Sequence, residues 1–133
     1  MSGTGDDGFT LLEMLVTLAV VGLVASIGFP VVQSSFDRLE LDRAVTDTRY
    51  AVRSARALAI SRGQRVQLVR LEDGSLSAAG TVFAAAPAKS VTITLPTVGL
   101  TFYPGGEALA GEVALRARGT ERRIVVRADG LVE

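Results

Sequence analysis

The chain has no cysteine, no histidine and no tryptophan, and its one lysine is Lys89. Without Cys and His there can be no disulfide, no thiol nucleophile, no Cys/His zinc site and no Ser-His-Asp constellation. The missing cysteines carry no information about compartment. Aromatic residues make up only 5% of the 133, and neither sign of charge is in excess, with 14 bases against 14 acids. A chain built around phosphate contacts is expected to be basic, so nucleic acid is not its default partner. No phosphate loop, dinucleotide fingerprint or metal-spaced carboxylate cluster occurs. Ser34, Ser35, Ser61 and Ser90 have no base in any catalytic pattern. The residues present therefore argue against an enzyme, and they imply no cofactor and no metal.

What the chain has in quantity is aliphatic side chain. It is 48% hydrophobic with a mean hydropathy of +0.37, too apolar for disorder and high for a small soluble domain. The excess sits at the front. Phe9 to Val32 reads FTLLEMLVTLAVVGLVASIGFPVV, with Glu13 as its one charge. As a helix, a run of this length rises about 36 Å, enough to cross a hydrocarbon core of about 30 Å. Apolar residues fall on every side, which excludes an amphipathic surface helix. A cleaved secretory signal would have a shorter apolar core and a small-residue site closing it. A retained span at 9–32 fits better.

Glu13 is out of place in such a span. A carboxylate costs about 2.5–3.5 kcal/mol at the centre of a bilayer helix and less near its end. It reads either as a helix-start carboxylate favoured by the macrodipole, or as a charge kept for a cationic partner in the membrane. Cleavage before Phe9 would create such a cation, a new α-amine.

Gly8-Phe9-Thr10-Leu11-Leu12-Glu13 followed by the apolar run resembles the class III signal of type IV pilins and type II secretion pseudopilins. The resemblance implies that 1–8 is a prepilin leader and that prepilin peptidase cuts between Gly8 and Phe9 and N-methylates Phe9. It also implies that Glu13 is the carboxylate assisting subunit assembly. Gly22 and Pro30 fall where this family often loosens its helix. The leader, MSGTGDDG, departs from the family's basic leaders: it has no base and carries Asp6 and Asp7, against the positive-inside rule.

Pro30 is expected to kink or end the first run. Beyond it, Leu41, Val45, Thr48, Val52, Ala55 and Ala59 recur at steps of four and three, one face of a helix. Ala44, Ala51 and Leu58 widen that face. Gly63 reads as the helix stop, with Arg62 suiting its negative end. The other side carries a charge gradient. Asp37, Glu40, Asp42 and Asp47 mix with Arg38 and Arg43, whereas 48–70 holds Arg49, Arg53, Arg56, Arg62, Arg65 and Arg70 and no acid. These charges form either a solvated flank or a polarised helix whose basic end meets the acidic end of a neighbouring subunit.

From Gln64 the period changes to two. Strands are expected at 65–70, 91–95, 100–103, 112–118 and 122–127, with a last short one at 131–132 and turns at Glu72-Asp73-Gly74, Pro104-Gly105-Gly106, Gly119-Thr120 and Asp129-Gly130. The stretch 78–88 reads as a loop with a weak strand at Thr81 to Phe83. About 70 residues of short strands bury little alone, and the amphipathic helix face is their missing wall.

This half is similar to the H-type minor pseudopilins and the related fimbrial T and U minor pilins. The likeness lies in Tyr50 to Gly63, in Leu100-Thr-Phe-Tyr-Pro-Gly-Gly followed by Gly111-Glu-Val-Ala-Leu, and in Ile124-Val-Val-Arg-Ala-Asp-Gly-Leu-Val. It implies an α+β fold in which a long N-terminal helix, membrane-spanning in its first half, packs on a small antiparallel two-sheet β domain. The expected division is a leader at 1–8, a helix at 9–62 with 9–32 in the membrane, and a periplasmic β domain at 63–133. The chain would be a single-pass protein of the bacterial inner membrane, with other pseudopilins and prepilin peptidase as partners. Leu131 departs from the family, where a base often follows the Gly. The absence of cysteine, which pilus-type relatives often use as a pair, tilts the reading toward the secretion branch. The other reading is a type IV pilus minor pilin of the fimbrial T/U kind, in pilus assembly or, as a nucleic-acid-binding subunit, in DNA uptake. The C-terminal arginines motivate it, with Arg122 and Arg123 as its candidate contacts. Strand alternation places Arg122 on the opposite face from Arg123 and Arg127, which argues against one patch.

Overall fold

A computed structural model describes residues 9–133; the leader, with Gly8 of the expected junction, lies outside the described residues, as do the side chains of Pro30, Val31 and Ser34. Helix α1 covers Leu11–Arg62. Seven strands follow: β1 (Val66–Arg70), β2 (Leu76–Ala78), β3 (Thr81–Ala84), β4 (Val91–Thr94), β5 (Leu100–Phe102), β6 (Gly111–Ala117) and β7 (Thr120–Val126). The backbone remains helical through Pro30, so the proline does not end the element. A proline removes one ladder bond without forbidding helix on either side.

The described residues up to Ser35 and those from Phe36 onward form two compact units. The first is the apolar helical stretch. Leu11–Phe29 is long and apolar enough to cross a membrane, and none of it is buried by protein. Exposed leucines and valines on all sides are costly in water and favourable in lipid.

The second unit contains every buried residue among those described. Its helical part contributes Leu41, Ala44, Thr48, Ala51, Val52, Ala55 and Ala59, all buried, with Val45 and Leu58 packed at the margin. This is the four-three face expected from the sequence. The Thr48 hydroxyl is buried there with no hydrogen-bond partner among the described atoms, a local cost within an otherwise apolar face. At the helix end Gly63 takes φ +60°. The Gln64 N–H donates to Ala59 O and the Gly63 N–H to Ile60 O, both at 3.3 Å. This pairing closes orphan carbonyls in the left-handed cap that glycine favours.

The strands form two antiparallel sheets, in the orders β3-β2-β1-β5 and β4-β6-β7. Val66, Leu68, Leu76, Leu100 and Phe102 from the first and Ile93, Val113, Leu115, Ile124 and Val126 from the second join the helix face in one core. Arg70 joins the sheets as well. Its guanidinium Nη1 donates to Ile93 O at 2.9 Å, although Arg70 itself is exposed rather than inward like Val66 and Leu68. Two free edges are covered by the chain itself. Leu109 N–H bonds Thr101 O beside β5, and Val125 exchanges both backbone bonds with Glu133 beside β7. The expected last strand at 131–132 is thus an isolated bridge, Val126↔Val132.

Two expectations need correcting. Leu76–Ala78 is a strand inside the first sheet, where no strand was expected. It is three residues long and buried on all of them, so no alternation marks it. The turn between β6 and β7 is Arg118-Gly119, closed by the pair Ala117↔Thr120, not Gly119-Thr120. Both turn residues have positive φ, +35° and +84°, as a two-residue hairpin of this kind requires. Arg118 accepts that backbone while its guanidinium lies 3.1 Å from Asp37 on the helix.

Candidate processing and assembly sites

The functional residues expected from the sequence lie at the start of α1. Thr10 is its N-cap: the Glu13 N–H donates to Thr10 Oγ1 at 3.2 Å and the Met14 N–H to Thr10 O at 3.1 Å. Thr at the cap and Glu three residues on is the capping-box spacing, a signal the sequence reading passed over. Thr17 Oγ1 donates back to Glu13 O at 2.7 Å. The Glu13 side chain is exposed and no ion pair engages it among the described residues. Phe9, just ahead of the cap, is 71% exposed. A cationic amine on Phe9 would sit at the positive end of the helix dipole, an unfavourable place for a cation. The nearest compensating charge in sequence is Glu13, one turn along.

The arginines of the second unit fall into two groups. On the outer face of the β4-β6-β7 sheet they are paired. Arg116 meets Glu121 at 2.6 Å, and Arg123 meets Glu121 at 2.7 Å and Glu112 at 3.2 Å. Register explains this, because Arg116 stands opposite Glu121 and Ala114 opposite Arg123. Hydrogen bonds from Arg116, then from Arg123, hold the Glu121 carboxyl below its usual range, and Glu121 in turn raises Arg123. Arg127 contacts Glu133 at 3.2 Å and Asp129 at 3.7 Å. Of the two residues nominated for nucleic acid, Arg123 is thus engaged by two carboxylates. Arg122 is exposed beside it on the other strand face, so the two form no common cationic patch.

On α1 the arginines behave differently. Arg56 is half-buried and bonds carbonyls, not carboxylates: Nε to Gly106 O at 2.8 Å and Nη2 to Asp129 O at 3.2 Å. It ties the helix to two turns, which sequence spacing could not distinguish from the solvated Arg49 and Arg53. The tie leaves no room at Gly130, with φ +77°, where a Cβ would lie 2.1 Å from Gly106 O and 2.6 Å from Arg56 Nε. Gly119 has a similar φ, +84°, but open space around it. Gly119→Ala is therefore expected to cost about 1–2 kcal/mol, the left-handed penalty alone. Gly130→Ala should cost about 2–4 kcal/mol, as overpacking is added. Urea unfolding of residues 36–133 measures both; equal losses would show that the Arg56–Gly106–Gly130 contact is not tight.

Comparison with known proteins fits this geometry. Residues 5–29 match the prokaryotic N-terminal methylation motif, and residues 44–130 match the family of the type II transport protein GspH. Two fimbrial proteins of Pseudomonas aeruginosa are each 34% identical over 59 residues, 44% of this chain. The chain spans 38% of the length of those relatives. In fold it is similar to the crystal structure of the Pseudomonas aeruginosa PAO1 type IV minor pilin FimU. The TM-score is 0.56 and the identity 21%, over 72% of this chain and 88% of that one. With the methylation motif on its apolar helix and the GspH match across its helix-and-sheet unit, the chain belongs to the GspH family of pilin-like structural subunits.

Proposed function

We propose that this chain is a minor pseudopilin, a structural subunit of the periplasmic filament by which a type II secretion system exports folded proteins across the outer membrane. The observation that carries the reading is the GspH match over residues 44–130. In this reading prepilin peptidase cuts between Gly8 and Phe9 and methylates the Phe9 amine. The span then holds the subunit in the inner membrane in a single pass, with residues 63–133 and the helix beneath them in the periplasm. Glu13 pairs with a neighbour's amine during assembly.

A second reading, a minor pilin of a type IV pilus, draws on the fimbrial relatives and the FimU-like fold. Deleting the gene from a host that has both systems separates them. The secretion reading expects exported enzymes to accumulate in the periplasm while surface pili persist. Loss of pili with export intact would favour the pilus. DNA uptake is the least supported variant, since Arg123 is already ion-paired.

A further inference from the structure

The unpaired arginines of α1 border a groove that neither reading above assigns. It lies between α1 and the C-terminal turn, has a volume of roughly 280 Å³, and is lined by Arg53, Arg56, Ala57 and Ile60 from the helix and by Gly130, Leu131 and Val132. Ile60 is 49% exposed and Leu131 52%, so its walls offer aliphatic surface to solvent. Two guanidinium groups stand at one groove, and among the described residues neither Arg53 nor Arg56 is in an ion pair with a carboxylate. Arg49, one turn from Arg53 on the same helix side, is likewise without one. This contrasts with the outer sheet of the same unit, where Arg116 and Arg123 each have an acid within 3.2 Å. Arg56 is the more telling of the pair. It is half-buried, its hydrogen bonds go to neutral carbonyls, and among the described residues no carboxylate stands within ion-pair distance of it.

We propose that the groove binds another protein subunit through a carboxylate side chain flanked by aliphatic residues. The carboxylate meets Arg53 and the free side of Arg56, and an aliphatic neighbour packs on Ile60, Ala57 and Val132. Charge complementarity sets the sign of the partner, and the aliphatic lining favours a polypeptide over a nucleic acid, whose phosphates carry no apolar side chain to fill the groove. The inference does not depend on which filament the chain serves.

The full chain in detergent micelles, labelled at its isoleucine methyls, supplies the test. The probe is the peptide acetyl-Gly-Leu-Glu-Leu-Gly-amide, followed by NMR at Ile60, with Ile93 on β4 as an internal reference. The expected result is a saturable shift at Ile60 and none at Ile93. Affinity should fall roughly ten-fold when the peptide's Glu is replaced by Gln, and by a similar factor in Arg53→Gln, the range of a charge-assisted hydrogen bond in a partly buried site. Arg53 is exposed and outside the core, so its substitution leaves the fold intact, and the Ile93 signal reports that directly. The proposal is overturned if Ile60 does not shift by about 10 mM peptide, a weak limit even for a single contact. It is also overturned if the Gln peptide binds equally, or if a short DNA duplex shifts Ile60 where the peptide does not. None of these outcomes bears on processing or on filament type, so failure here is distinct from failure of the functional reading.

Discussion

Glu13→Ala should yield a protein that is inserted and processed normally but does not enter a filament. Insertion is spared because Leu11–Phe29 only becomes more apolar. Processing is spared because Gly8 and Phe9 are unchanged. On the proposed reading, assembly is the step that uses the carboxylate. Thr10 caps the helix through the Glu13 backbone N–H, so local helix formation does not require the side chain. The carboxylate is exposed and is left available to a neighbour. A Phe9 amine sits about 6 Å away along the axis of its own helix, and that of a staggered neighbour can be brought closer. Two opposite charges that leave water together tolerate lipid; one alone does not. Removing one partner of a buried pair costs about 3–5 kcal/mol, so incorporation should fall by about two to four orders of magnitude. Co-purification with partner subunits from membranes, with processing state read on the same sample, makes the comparison. Normal incorporation would show that Glu13 serves only the helix start.

Phe102→Ala should have the largest effect on the second unit. Phe102 is the largest fully buried side chain, with no exposed surface, on β5 opposite Val66 and bridged to Ala108. Truncating a buried Phe removes its transfer energy and leaves a cavity, at a cost of about 3–5 kcal/mol. A unit of this size has only about 5–15 kcal/mol in total, so a large share of its stability disappears. Urea unfolding of residues 36–133, which carry every buried residue among those described, should show a lower midpoint with unchanged slope. A loss under about 0.5 kcal/mol, the range of a surface substitution, would mean that the core does not close around β5.

The helix face was legible in the sequence because its signal is redundant: Leu41, Thr48, Val52, Ala55 and Ala59 repeat one period over five turns, and all are buried. Strands with clean alternation, such as Val91–Thr94, were legible for the same reason. Leu76–Ala78 was not, because a three-residue strand buried on every position has no period to read. Hairpin register could not be read either. The one-residue difference at Arg118-Gly119 depends on Arg118 accepting a positive φ, beside an Asp37 far away in sequence. At the candidate site, Gly8, Phe9 and Glu13 could be nominated because a compact local motif carries them. The role of Arg56 could not, because its partners are backbone carbonyls of Gly106 and Asp129, at separations of 50 and 73 residues. The pairing of Arg123 with Glu112 likewise needed the β6–β7 register, whereas Glu121 lies two residues away on the same strand.

The central claim is that this chain enters a filament as a processed pilin-type subunit. Its most direct test is the intact mass of the protein made in cells with and without prepilin peptidase. With the peptidase, the account predicts loss of residues 1–8 and the gain of one methyl group on Phe9. Without it, the mass should be that of the uncut chain. A mature protein that starts anywhere other than Phe9, or that is cut identically in both hosts, would contradict the account.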